Sequence, residues 1–151
     1  MTTQDNAPAA RTSTRPPEAL PGSVGGDIDA YVVARMAFPG QPQEDLADYM
    51  DRLLATMTPF GGHILSHGKE VETLEGVWVG YAVILGFPDT AHAHGWYNSP
   101  EYQKIMPLRR RHVDGELIVI EGCPPGYDAS GAAAAMRQGI LAGAPGTTPL
   151  T

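Results

Sequence analysis

The chain is short of several things that would decide its class at once. One of its 151 residues is cysteine, Cys123, so no internal disulfide staples the fold, as suits a reducing cytoplasm. Basic residues are few: 10 Lys and Arg stand against 17 Asp and Glu, a formal charge of −7. That balance lacks the cationic excess that neutralises phosphates, so no general nucleic-acid partner is expected. No apolar run approaches the length of a bilayer span, and no apolar stretch follows Arg11 and Arg15 as in a secretory leader. No membrane partner is expected, and the protein reads as cytoplasmic. Gly-x-Ser-x-Gly, a phosphate-cradling lysine loop and a dinucleotide fingerprint are all missing.

What is present divides into three parts. Residues 1–27 are rich in Pro, Thr, Ala and Gly and hold almost no large apolar side chains, the composition of a flexible arm. Residues 28–122 form the folding unit, and residues 123–151 a C-terminal tail. Within the tail, "ASGAAAAMRQGILAG" suits a short helix with Ser130 as N-cap and Gly143 as stop, its apolar patch being Met136, Ile140 and Leu141.

Inside the folding unit the hydrophobic period changes four times. "DAYVVARMAF" (29–38) alternates like a strand and ends at Pro39-Gly40. Leu46, Tyr49, Met50, Leu53, Leu54 and Met57 then recur at helical spacing within 42–57, behind Pro42, Glu44 and Asp45 in a favourable first turn. "HILSHGKEVETLEG" (63–76) reads as a strand broken near Gly68, and "VWVGYAVILGF" (77–87) as a central strand. Residues 88–97 suit a short helix capped by Asp89. In "NSPEY", Ser99 and Pro100 stop that helix and start another, which Pro107 should kink or split. "GELIVIEG" (115–122) is the last strand. The expectation is α+β: a ferredoxin-like β-α-β-β-α-β unit with helices on one face of an antiparallel sheet and the other face bare. A bare apolar face on so small a unit calls for a ligand or a second copy.

The segments "AYVVARM", "PFGGHIL", "LEGVW", "FPD" and "WYNSPEYQ", with Tyr49, Gly68 and Arg109, resemble the bacterial domain of unknown function 1330, a member of the dimeric α/β-barrel superfamily. The resemblance runs over roughly residues 29–122. It implies a homodimer whose open sheets pair into a barrel, and a superfamily that spans cofactor-free oxygenases, cyclases, isomerases, haem enzymes and ligand binders. Several features depart from the family pattern: His63 where a basic residue usually follows Gly-Gly, Gly86 where an acid usually precedes Phe-Pro, and Pro107 and both long tails, which are extra.

The candidate chemistry follows from strand alternation. Tyr31, Val33 and Arg35 share the face of the first strand opposite the apolar set Ala30, Val32, Ala34 and Met36. His63, Leu65 and His67 are expected to share one face of the second strand. If that face is the open one, a barrel cavity gathers Tyr31, Arg35, His63 and His67, with Trp78 or Tyr81 added according to register. His63, His67 and Arg35 are then the catalytic candidates, histidine as base and Arg35 as fixed cation. Tyr31, Trp78, Tyr81, Tyr97, Tyr102 and Arg109 are candidates for substrate binding. A plainer account makes the histidines rim residues and pairs Arg35 with a carboxylate at the dimer seam. No metal is expected: His63 and His67 lie about 13 Å apart on a strand, and His92 and His94 point to different sides of a helix. Cys123 has no activating context. The leading expectation is a cofactor-independent small-molecule enzyme of cyclase, isomerase or oxygenase type, secondary metabolism included, doing acid/base chemistry in a barrel cavity. The alternative is a non-catalytic ligand-binding or stress-associated dimer.

Overall fold

The computed structural model describes residues 27–41 and 43–139. Pro42, Ile140, Leu141, Gly143 and all of the expected N-terminal arm except Asp27 lie outside the described residues. The elements run β1 (Ala30–Ala37), α1 (Glu44–Met57), β2 (His63–Lys69), β3 (Tyr81–Phe87), α2 (Thr90–Tyr97), α3 (Pro100–Arg110), β4 (Asp114–Glu121) and α4 (Ser130–Arg137), with a 3-10 turn at Thr58–Phe60. The four strands form one antiparallel sheet in the order β2-β3-β1-β4, the ferredoxin-like arrangement.

The alternation of β1 decides which sheet face is covered. Ala30, Val32, Ala34 and Met36 are buried beneath the helices, while Tyr31, Val33 and Arg35 are half-buried on the other side. Register carries this sidedness across the sheet: Tyr31, Val33 and Arg35 lie opposite Gly86, Ile84 and Ala82 of β3, and opposite Ile120, Ile118 and Glu116 of β4. These residues make the open face. The covered face meets α1 through Leu46, Tyr49, Leu53 and Met57, and meets α2 and α3 through Ala93, Trp96, Tyr102 and Ile105.

"GWYNSPEYQ" is helix punctuation with an aromatic core element inside it. Asp89 caps α2, accepting from the His92 amide at 2.8 Å, and Ser99 caps α3, accepting from the Tyr102 amide at 3.3 Å. Trp96 is buried against Phe87, Tyr97 and Tyr102, and its indole Nε1 donates to Thr56 Oγ1 at 3.0 Å.

Four expectations change. Pro107 does not split α3, which runs unbroken from Pro100 to Arg110. The proline sits in the last turn, so the amide it lacks costs little continuity, and its own carbonyl accepts from the Arg111 amide at 3.1 Å. The second strand ends at Lys69 rather than residue 76, and the third begins at Tyr81 rather than residue 77. Gly80 explains the later start: it turns at φ 92° with its backbone tight against the Met36 carbonyl, an approach that no side chain permits. In α4 the N-cap is Ala129, because Asp128 Oδ1 takes the Ser130 amide at 2.7 Å. Met136 of that helix is exposed.

Candidate functional site

The bulges of β2 control the site. Ile64 lies opposite Leu85 and Ser66 opposite Ile84, so Leu65 is an extra residue with no partner of its own. A second extra residue, Gly68 at φ 61°, separates His67 opposite Val83 from Lys69 opposite Ala82. Each insertion reverses the alternation. His63, opposite Gly86, stands on the open face, whereas His67, opposite Val83, stands on the helix-covered face. Leu65 also leans over the open face, where its Cδ1 and that of Ile28 close over the missing side chain of Gly86. The expected shared histidine face therefore does not form.

The open-face candidates stay together but without His67. Arg35 donates to Glu116 at 2.7 Å and to the Val79 carbonyl at 3.1 Å. Its charge is already matched by a carboxylate of its own chain. Tyr31 is half-buried beside it on the same face.

A larger cavity lies on the covered side, between α1, α3 and one end of the sheet. It has a volume of about 930 Å³ and is half-open to solvent, with the exposed Phe38 and Met50 among its lining residues. Its walls are mainly apolar, among them Val32, Ala34, Met36, Leu53 and Leu85, and among the described residues no Asp or Glu lines it. His67 and Tyr81 enter it from β2 and β3, and Arg109 from α3. Neither aromatic expected from the third strand joins Tyr31 and Arg35: Tyr81, opposite Met36, stands on the helix-covered face and lines this cavity instead, and Trp78 precedes the strand and does not line it. Tyr97 lines a smaller neighbouring pocket of about 240 Å³ and donates to Met106 Sδ at 3.6 Å.

Arg109 is 6 % exposed, yet no carboxylate meets it among the described residues. One terminal nitrogen sits 3.9 Å from Met36 Sδ, its Nε has no partner, and Cζ lies 5.9 Å from the centre of the Tyr49 ring. The Tyr49 hydroxyl bonds that of Tyr102 at 3.3 Å. Burial, followed by the charge and hydrogen bond of Tyr102, pushes the Tyr49 phenol well above its ordinary value, with Arg109 opposing. Tyr49 therefore remains a protonated donor at the cavity wall. Tyr102 itself is fully buried and backs Tyr49 from behind.

Sequence reasoning had counted Tyr49 as helix stripe and family motif alone, and missed Met36 as a neighbour of Arg109. The useful signal was combinatorial: Tyr49 on α1 and Tyr102 and Arg109 on α3 occupy inward stripes of two helices that pack together. His92 and His94 are exposed on α2, and Cys123 is exposed beyond β4.

Among the described residues no helix is long and apolar enough to cross a membrane. No functionally curated protein matches the chain. In fold it is similar to RPA0582, a protein of unknown function from Rhodopseudomonas palustris, with a TM-score of 0.50 and 20 % identity over 66 % of this chain and 85 % of that one. The methylated form of RPA0582 gives a TM-score of 0.50 and 22 % identity over 67 % and 85 %. SnoaB, a cofactor-independent oxygenase from Streptomyces nogalater, is similar with a TM-score of 0.47 and 14 % identity over 67 % of this chain and 99 % of that one. Residues 29–123 match the family described as Domain of unknown function (DUF1330), and the chain belongs to that family.

Proposed function

We propose that the protein is a cofactor-independent, homodimeric enzyme of small-molecule metabolism, secondary metabolism included, in which His67 moves a proton on a ligand held in the helix-side cavity. The observation that carries this reading is one largely apolar, half-open cavity of about 930 Å³ whose wall holds an imidazole, a guanidinium and two phenols. Imidazole is the side chain best suited to proton transfer near neutral pH. His67 would take a proton from a carbon next to a carbonyl, leaving an enolate whose negative oxygen needs a donor. Tyr81, the diagonal neighbour of His67 on the same face, offers its phenol to that oxygen. Reprotonation at another carbon isomerises the ligand, and attack by the carbanion on an internal carbonyl cyclises it. Attack on dioxygen, as a named co-reactant, would be the oxygenase branch.

In the same proposal a second copy covers the open face, where Ile118 and Ile120 are 53 % and 44 % exposed beside Val33 and Ile84. Arg35, His63 and Tyr31 then belong to that seam rather than to the chemistry.

One observation favours the second reading, a ligand-binding dimer without turnover. His67 stands on β2 while Arg109 reaches the Met36 side chain on β1, two strand spacings or about 10 Å away. That separation suits a ligand held at two ends better than one reacting atom gripped by both groups. Proton exchange separates the readings: 2-tetralone, a neutral bicyclic ketone, is incubated with the protein in deuterated buffer and its α-protons are followed by NMR. Catalysis predicts exchange above the buffer rate, falling by about 10²–10⁴-fold in His67→Gln. Exchange at the buffer rate, or unchanged in His67→Gln, leaves the binding reading.

A further inference from the structure

We infer that the ligand of the helix-side cavity is an organic acid, its carboxylate held by Arg109 and Tyr49 and its apolar body extending toward His67. The inference rests on the cavity being a ligand site, and adds what kind of molecule occupies it.

The first support is an unbalanced charge. Arginine remains cationic in proteins, and a buried cation is normally retained only with an anion beside it. Arg109 is 6 % exposed and its Nε is unpartnered; its neighbours are the sulfur of Met36 at 3.9 Å, a weak acceptor, and the neutral phenol of Tyr49. Among the described residues, neither the cavity nor the smaller pocket that Arg109 also borders has an Asp or Glu in its lining. The chain as a whole carries −7, so carboxylates were available to be placed there. By contrast Arg35 has Glu116, and Arg111 has Asp45 at 3.3 Å.

The second support is the second donor. Tyr49 lines the same cavity, and Cζ of Arg109 lies 5.9 Å from its ring centre. When Tyr102 donates to the Tyr49 oxygen, the Tyr49 proton is free to point at a ligand. Guanidinium and phenol then present N–H and O–H donors side by side without an acceptor of opposite charge. That is a donor set for an anionic oxygen pair, because a guanidinium fork matches carboxylate geometry.

The third support is size and wall chemistry. A cavity of about 930 Å³ lined by Val32, Ala34, Leu53, Leu85 and Trp96 far exceeds what an inorganic anion fills. The fitting molecule is amphipathic, with a charged end at Arg109 and an apolar body reaching across about 10 Å of sheet to the imidazole.

Calorimetric titration with 2-naphthoate and its neutral isostere 2-naphthamide tests this on the unmodified protein. We expect the acid to bind about 10- to 100-fold more tightly, the range of a charge-assisted hydrogen-bonded pair. Arg109→Met should bind both compounds equally. It should also melt no lower than wild type, because a buried charge without a partner has been removed. Equal binding of acid and amide by wild type overturns the inference while leaving the cavity as a ligand site. A preference that survives in Arg109→Met overturns it too, and binding of neither compound removes inference and cavity reading together. Should Arg109→Met not fold, the wild-type comparison still decides. The exchange assay uses a neutral ketone and depends on His67, so its failure is distinguishable from failure here.

Discussion

The Tyr49–Tyr102 pair allows a sharp energetic test, because the two hydroxyls are bonded to each other but differ in their access to water. They are 3.3 Å apart, with ring centres 6.4 Å apart and planes at 67°. Tyr102 is 0 % exposed, while Tyr49 is 7 % exposed and lines the cavity. Tyr49→Phe strands the Tyr102 hydroxyl in a dry site, and a buried polar group left unsatisfied costs about 1–3 kcal/mol. Tyr102→Phe leaves the Tyr49 hydroxyl able to turn toward the cavity, so its loss should be nearer the net value of one hydrogen bond, about 0.5–1.5 kcal/mol. Removing both hydroxyls leaves two phenyl rings of unchanged shape with neither hydroxyl stranded. The double variant should therefore lose less than the sum of the singles, by about 1 kcal/mol or more. Urea denaturation of the four proteins measures this, with a common slope expected because the surface exposed on unfolding hardly changes. Additivity within about 0.3–0.5 kcal/mol would show the hydroxyls to be independent and refute the reasoning. Equal losses from the two singles would refute the asymmetry.

Ile118→Asp places a charge on the β4 side of the open face, away from the cavity, and is expected to convert the proposed dimer to a monomer in light scattering with little change in helical signal. A dimer that survives the substitution uses another surface. Asp45 accepts from His112 at 3.0 Å and from Arg111 at 3.3 Å, and these two hold its carboxyl below the ordinary value, His112 foremost. A lowered folded value contributes stability above the unfolded pKa, about 3.9, and loses it as pH falls through the folded one. The melting-temperature gap between wild type and Asp45→Ala should persist at pH 5 and close in the acid range below about pH 4. A gap that widens on acidification would contradict the pairing.

Local signals fixed most of the fold and part of the site. The alternation in "AYVVARM" identified both faces of β1, the apolar spacing from Leu46 to Met57 found α1, and Asp89 and Ser99 marked two helix starts by their capping chemistry. Arg109 was legible because it shares a stripe with Tyr102 and Ile105, and all three are buried. What failed was the pairing of His63 with His67. A spacing of four puts two strand residues on one face only when every residue has a partner, and the extra residue at Leu65 exists only in relation to β3. The side of the sheet that holds the cavity was equally out of reach. It depends on how α1 and α3 lie over Met36, Tyr81 and His67, which are distant in sequence.

The central claim is that the ligand enters between helices and sheet, not through the open sheet face. Methyl-labelled protein titrated with 2-naphthoate measures this most directly, because the two sites have different reporters. Met36 and Met50 line the cavity, while Ile118 and Ile120 stand on the open face. Saturable shifts at Met36 and Met50, with Ile118 and Ile120 unmoved, are the predicted result. Shifts centred on Ile118 and Ile120, with Met36 and Met50 unmoved, would contradict it.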